Sequence, residues 1–570
     1  MCGVCGAYIL DHDTLNHEGK LDIAGALNTL KGIDGERLVD KGATAAGVLY
    51  YFLTGLVNRG PDSTGMVIGH DNDLKIHKRM GIAKKAYTQK ILENMVGDFG
   101  TGHDRYATIG LPRKQNIQPF IDLDVAVSHN GNLTNQKEQR DMIIKEEKRI
   151  YGGSDLTSAT DSELIPHKIS LEKFTNRAES KSLKELDDII SNALVEFRGA
   201  YSITGMIDES IFAARDPYGR WPLFWAVLDN LVLFSSERQP IMNFIRDSNY
   251  QLGVSSVKKV QPGEIILVNE DNIYSSLLLM EKYFSKYNIK IRKIEECSFD
   301  YSYIRSHKDE NIQDFRKIVG GILSDSLPKD LDYIVPVPNS GMYYGVGLSE
   351  KSGIEIKELI GISEKYKNNP TRTFQKSSIK ERQKAIKKKY AFNQDDEYYH
   401  GKKIALTDDT IVRNLTMFHN IKKLRLKGVS EIHARIGTPA VVTPCFYGVH
   451  HLKEEMIAYR LDKMEVEKYF ESIFYGVDYK SEALISKIKK GKSIRKIVEE
   501  SVKDRRNYLK DKKMREVKDG QFSLEYISHM LYRKAFTDSG LNPDTKCYAC
   551  QIHNYQGYRK EVLPDIRRAE

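Results

Sequence analysis

The sequence predicts two domains of different layer architecture: an α+β amino-terminal half, then a parallel α/β half that ends in a helical extension. Three observations carry this. At 570 residues the chain exceeds what one hydrophobic core usually serves. Up to about residue 280, short β-type runs such as Val125 to Ser128, Tyr201 to Met206, Leu231 to Ser235 and Glu264 to Val268 are separated by Gly, Asn and Asp. From about residue 310, apolar strands (Tyr333 to Val337, Lys403 to Leu406, Glu431 to Ile436) alternate with amphipathic helices, as in a helix-covered parallel sheet.

The resulting domains are 2–280, 281–455 and a helical extension 456–570. Two helical insertions, Leu15 to Lys41 and Gln136 to Ile150, are expected in the first. The longest apolar run, Ala43 to Val57, contains Thr44, Gly47, Thr54 and Gly55 and is too short for a membrane span, so it reads as a buried helix. The densest basic run, Lys487 to Lys518, is broken by Glu499, Glu500 and Asp504 and reads as a solvated helix face.

Composition narrows the function classes. The hydrophobic share is 40%, and 87 basic against 78 acidic residues leave a net charge of +9. Because the charges are interleaved, neither a nucleic-acid nor a membrane partner is expected; the excess suits a phosphate-rich small substrate. Six cysteines are too few for a disulfide scaffold, and Met-Cys-Gly-Val-Cys-Gly is no secretory signal, so a cytoplasmic location is expected.

Cys2 becomes the first residue once Met1 is removed, which places a nucleophile and a free α-amine on one residue. An α-amine titrates near 7.7–8 and a thiol near 8.5, so the amine can take the thiol proton at neutral pH. Four segments supply the rest of a thioester chemistry. Arg105, in Gly-His-Asp-Arg-Tyr-Ala-Thr, offers a fork for a substrate carboxylate. Asp161 offers an anion for a substrate ammonium. The turn His129-Asn130-Gly131-Asn132 can aim a side-chain amide and a backbone N–H at an oxyanion. Arg59-Gly60-Pro61-Asp62 reads as a loop able to close over the site.

In this order the segments resemble the glutaminase domain of class II glutamine amidotransferases, from Cys2 to about residue 280, including Arg198-Gly199-Ala200-Tyr201 and Arg215-Asp216-Pro217-Tyr218-Gly219. The resemblance implies an N-terminal-nucleophile αββα sandwich. It also implies Cys2 as nucleophile, Asn130 and Gly131 as oxyanion donors, and Arg105 and Asp161 holding the two ends of glutamine.

Downstream, Leu406-Thr-Asp408-Asp409-Thr-Ile-Val-Arg413-Asn-Leu-Thr416 follows an apolar strand and precedes a helical pattern. Paired carboxylates at the carboxyl edge of a parallel sheet can hold ribose hydroxyls or Mg²⁺ on a pyrophosphate, and the turn behind them can receive a phosphate. With Val335 to Gly341, the cations Arg372, Arg382 and Lys389, and Pro444-Cys-Phe-Tyr-Gly448, the set resembles the phosphoribosyltransferase domain of the amidophosphoribosyltransferase family. That resemblance implies a parallel α/β domain and phosphoribosyl pyrophosphate held by Arg372, Lys389, Arg413 and Thr416, with Mg²⁺ at Asp408 and Asp409. It also implies 5-phosphoribosylamine as product and a homo-oligomer, dimer or tetramer.

This sequence departs from the family pattern at Thr410, Asn414 and Leu415, which stand for Ser, Gly and Thr, and at Asn339 and Asn369, which stand for Asp and Tyr. Two alternatives follow: ammonia delivery to another phosphorylated acceptor, or a regulatory paralogue with a degenerate acceptor site. Some family members hold a 4Fe–4S cluster on four cysteines, and Cys297, Cys445, Cys547 and Cys550 match the three places; zinc could occupy the same sulfurs. Cys5 is left for the core of the first strand.

Overall fold

The computed structural model describes residues 2–10, 21–71, 73–106, 113–176, 182–250, 256–290, 294–367, 379–449, 456–475, 481–493, 496–497 and 521–552. Strand alternation builds the first domain. In Gly3–Ile9, Cys5, Ala7 and Ile9 pack under the helices, whereas Val4 and Tyr8 point into a second apolar layer between two sheets. This strand is the fourth of seven in an antiparallel sheet, between Leu231–Ser235 and Phe99–Arg105. The facing six-stranded sheet centres on Gly199–Ile207, flanked by Val125–Leu133 and Ser210–Arg215.

Helices Thr44–Gly55 and Arg238–Asp247 cover the first sheet, and Leu164–Thr175 and Leu183–Leu194 cover the second. The outcome is the αββα sandwich that the resemblance implied. Thr44–Gly55 is the buried helix expected from the apolar run, and Gln136–Tyr151 is the second insertion. The first insertion forms two short helices, Ile23–Asn28 and Gly35–Asp40; residues 11–20 lie outside the described set.

The second domain is a parallel sheet in the order Tyr333–Pro336, Lys403–Asp408, Glu431–Ile436, Phe522–Tyr526. The last strand is a β element within the segment after residue 455, which was expected to be mostly helix. Phe522, Leu524 and Tyr526 alternate into the core, a signal too short to stand out in charged surroundings. Helix Lys463–Phe474, opened by a capping box between Asp462 and Glu465, packs in the same core. The basic run is not wholly a solvated face either, since Ile488 and Ile497 are buried; residues 498–520 lie outside the described set.

Where the domains meet, the Arg59 guanidinium is fully buried and donates to Glu237 at 2.8 Å and Asp300 at 2.8 Å. Arg305 donates to the same Asp300 at 2.6 Å, and the Ser306 N–H reaches Glu237 at 3.1 Å. The loop after Arg59 is therefore pinned. A Cβ on Gly60 would lie 2.2 Å from the Asp104 carbonyl oxygen, and the Asp62 N–H donates to the Arg105 carbonyl at 3.2 Å. The expected closing loop is a strut between the domains. Among the described residues no helix is long and apolar enough to cross a membrane.

Candidate active sites and a four-cysteine cavity

Cys2 lies immediately before the first strand, 8% exposed. Its backbone N–H donates to Asn130 Oδ1 at 2.9 Å, and its Sγ rests against the Tyr106 backbone, accepting that N–H at 3.4 Å. Asn130 Nδ2 is buried and has no partner among the described residues. One side-chain amide thus fixes the nitrogen of Cys2 and keeps a buried donor in reserve. Gly131 follows in the same strand, where a Cβ would lie 1.9 Å from the Ala200 carbonyl oxygen; no other residue fits there.

Arg105 ends its strand 4% exposed. Burial pulls its guanidinium below the ordinary arginine range, opposed by the negative fields of Cys2, Asp62 and Asp161. Asp161 accepts the Leu133 N–H at 2.8 Å, which ties it to the strand that carries Asn130. Sequence reasoning missed the layer beneath. Gln118 accepts the His129 N–H at 2.7 Å and donates to the His129 carbonyl and Ser162, while His129 Nδ1 lies 2.9 Å from the Ser162 hydroxyl. Burial lowers the His103 and His129 imidazoles below the ordinary histidine value, which disfavours a charge on either beneath the site. The only sequence hint was their place beside Arg105 and Asn130.

In the second domain Asp408 ends its strand and Asp409 follows, both 3% exposed. Asp408 Oδ1 accepts the Ser340 hydroxyl at 3.1 Å and the Asp409 N–H at 3.0 Å, whereas Asp409 Oδ2 is buried without a partner among the described residues. Burial raises both carboxyls above the usual carboxylate range, and at Asp408 the neighbouring Asp409 charge adds to it. Arg413 and Thr416 flank the start of helix Leu415–Leu426, both half-buried. Lys389 ends helix Ile379–Lys389 and stands 4.8 Å from the Tyr390 ring centroid. Arg372 lies outside the described residues.

Asn414 caps that helix at φ +57°, in the left-handed region that favours glycine and tolerates asparagine best among side-chain residues. The departure from the family's glycine is thereby absorbed by the backbone. Asn414→Ala should lower stability by about 1 kcal/mol, whereas Asn414→Gly should leave it nearly unchanged. Thermal unfolding of the two variants checks this.

A cavity of about 400 Å³ lies between residues that adjoin the two sites. Tyr106, whose backbone holds the Cys2 sulfur, lines it from one side; Asn339, Ser340 and Lys389 line it from the other. Arg59, Arg305 and Arg316 also line it, the first two paired with Glu237 and Asp300.

Cys297, Cys445, Cys547 and Cys550 converge on a separate enclosed cavity with Trp221 and Phe299 in its wall. Cys297 and Cys547 are register partners in a two-residue parallel ladder, and the Tyr447 N–H donates to Cys445 Sγ at 3.4 Å. Burial raises the Cys297 thiol well above its ordinary value, and the three other sulfurs raise it further. No disulfide joins them. Four thiols sharing an apolar space fit a bound metal centre, which would lower those values. Cys5 is fully buried in the first strand, as expected.

These features define the class: a glutamine amidotransferase fused to a phosphoribosyltransferase-type domain. A family model described as a glutamine amidotransferase domain matches residues 103–243. The amidophosphoribosyltransferase of Methanocaldococcus jannaschii is 31% identical over 74% of this chain and 86% of its own. That of Methanothermobacter thermautotrophicus is 32% identical over 77% and 86%, and that of Homo sapiens 29% over 78% and 85%. A solved structure of glutamine phosphoribosylpyrophosphate amidotransferase from B. subtilis, complexed with ADP and GMP, has the same fold with a TM-score of 0.66 at 22% identity, covering 99% of this chain and 100% of that one. The chain belongs to the amidophosphoribosyltransferase family, whose enzymes catalyse the first step of purine biosynthesis.

Proposed function

We propose that Cys2 liberates ammonia from glutamine and that the ammonia displaces pyrophosphate from C1 of phosphoribosyl pyrophosphate at Asp408 and Asp409. The products are 5-phosphoribosylamine, glutamate and pyrophosphate. The observation that carries this is the single cavity reaching from Tyr106, at the Cys2 sulfur, to Ser340, at Asp408.

With Met1 removed, the α-amine of Cys2 takes the thiol proton and the sulfur attacks the side-chain amide of glutamine. Asn130 Nδ2 and the Gly131 N–H receive the oxyanion, and ammonia leaves as a glutamyl thioester forms. Water then releases glutamate. Arg105 holds the substrate carboxylate and Asp161 its ammonium group. In the second site Lys389, Arg413, Thr416 and Arg372 would take the phosphates. The unpartnered Asp409 oxygen and the raised carboxyls suit a divalent cation, so Asp408 and Asp409 would hold Mg²⁺, which supplies charge neutralisation for the departing pyrophosphate. The test is glutamine-dependent pyrophosphate release by the purified chain; failure with both glutamine and ammonia as donors would refute the reading, and release with no requirement for phosphoribosyl pyrophosphate would point to another acceptor.

Residues 2–280 are assigned to the glutaminase unit, and 281–455 together with strand Phe522–Tyr526 to the acceptor unit. For the four cysteines a 4Fe–4S cluster is favoured, supplying a structural tie between the domain junction and the C-terminal segment. One zinc draws four thiolates to within about 3.8 Å of one another. Among the described residues, the ligand atoms that gather within 4.8 Å are those of Asp122, Glu147 and His167, and the four sulfurs form no such group. Anaerobically purified protein should carry about four iron atoms per chain with broad absorption at the edge of the visible range; zinc instead would overturn the assignment. A cytoplasmic location suits six free cysteines, and a homo-oligomeric state is proposed with it, to be read by light scattering.

A further inference from the structure

The loop that carries Cys445 does not only face the other three sulfurs. Its next two carbonyls are held by the glutaminase domain: Asn132 Nδ2 donates to the Phe446 carbonyl at 2.8 Å, and Trp221 Nε1 donates to the Tyr447 carbonyl at 2.6 Å. Gly448 then turns at φ +118°, and a Cβ there would stand 3.2 Å from the carbonyl carbon and oxygen of Gly131. The loop is pressed against the strand segment Asn130-Gly131-Asn132. A second connection runs from Cys297, whose N–H donates to the Arg220 carbonyl at 3.1 Å, one residue before Trp221.

We propose that Asn132 is a positioning residue for glutamine hydrolysis, which ties the oxyanion strand to the Cys445 loop so that occupancy of the four-cysteine cavity sets the placement of Asn130 and Gly131. This rests on the roles proposed above for Asn130, Gly131 and the four cysteines.

The physical argument is one of tolerance. Oxyanion donors act over hydrogen-bond distances, and a displacement of a few tenths of an ångström weakens them while leaving ground-state binding of glutamine in place. Asn132 is one residue from Gly131, and its amide anchors to a carbonyl adjacent to Cys445. Groups that hold a metal ligand's neighbours in this way fix its orientation, and the coupling runs in both directions.

The experiment uses the full-length, metal-loaded enzyme and its Asn132→Ala and Asn132→Asp variants. Expected is a fall in glutamine-dependent kcat of roughly tenfold or more, with KM for glutamine within about twofold, the ammonia-dependent rate unchanged and the metal content per chain unchanged. Hydrogen exchange adds a readout that does not depend on activity. Amides of 129–133 should exchange faster in the loaded Asn132→Ala variant, and by a similar factor in wild type stripped of metal. Unchanged kcat, or an equal fall in the glutamine and ammonia rates, would overturn the proposal. Asn130→Ala is the control for the reading beneath it: should that variant keep full glutamine hydrolysis, the oxyanion assignment fails and the coupling falls with it. If Asn130→Ala loses hydrolysis while Asn132→Ala does not, only the coupling is wrong.

Discussion

Cys2→Ala is expected to abolish glutamine-dependent pyrophosphate release while leaving ammonia-dependent release within about twofold of wild type. Loss of a sole nucleophile costs on the order of 10⁴-fold or more. The expectation of an intact second site has a structural basis. The Cys2 sulfur contacts only the Tyr106 backbone among the hydrogen-bonding groups described for it, and the alanine keeps the N–H that Asn130 accepts. Ser340, which donates to Asp408, lines the cavity opposite Tyr106, and among the described residues neither Asp408 nor Ser340 bonds to Cys2. Parallel assays with glutamine and with ammonium at raised pH decide it. If the ammonia rate falls together with the glutamine rate, the two sites are not chemically separable. If the glutamine rate survives, another residue is the nucleophile.

Much of this was legible before any coordinates, because the reactive groups sit in local motifs. Cys2, Asn130 and Arg105 each carry their own sequence context, and the resemblance those motifs support implied the layers that bring them together. What was not legible was long-range. The Arg59 loop read as a lid because glycine and proline mark a turn, yet its arginine is spent on Glu237 and Asp300, far away in sequence. No local pattern reveals such a pairing. Strand Phe522–Tyr526 was missed for a related reason: three alternating apolar residues gain meaning only from the sheet edge offered by Glu431–Ile436. Asn414 shows the opposite case. As a letter it was a departure from glycine; at φ +57° it is a substitution that the backbone accepts.

The second large effect is expected at the paired aspartates. Asp409→Asn should reduce both the glutamine- and the ammonia-dependent rates on the order of 10³-fold, because both need the acceptor held with its cation. It should also raise the thermal midpoint of the metal-free protein. The sign follows from burial: Asp409 lies beside Asp408 and both carboxyls are raised above their unfolded values. Raised carboxyls bind protons more tightly in the folded state, so stability is lost as pH climbs above the unfolded value and through the raised one. A neutral amide removes that penalty, and Asp409 Oδ2 has no partner among the described residues to lose. The gain in midpoint should therefore be larger at pH 8 than at pH 4. Burying two neighbouring carboxyls is a cost the fold carries for the sake of a ligand that neutralises them, and saturating Mg²⁺ with phosphoribosyl pyrophosphate should reverse the ranking, stabilising wild type more than the variant. A variant that loses activity without gaining stability would show that the local cation Arg316, which lowers the Asp409 carboxyl, already balances the pair.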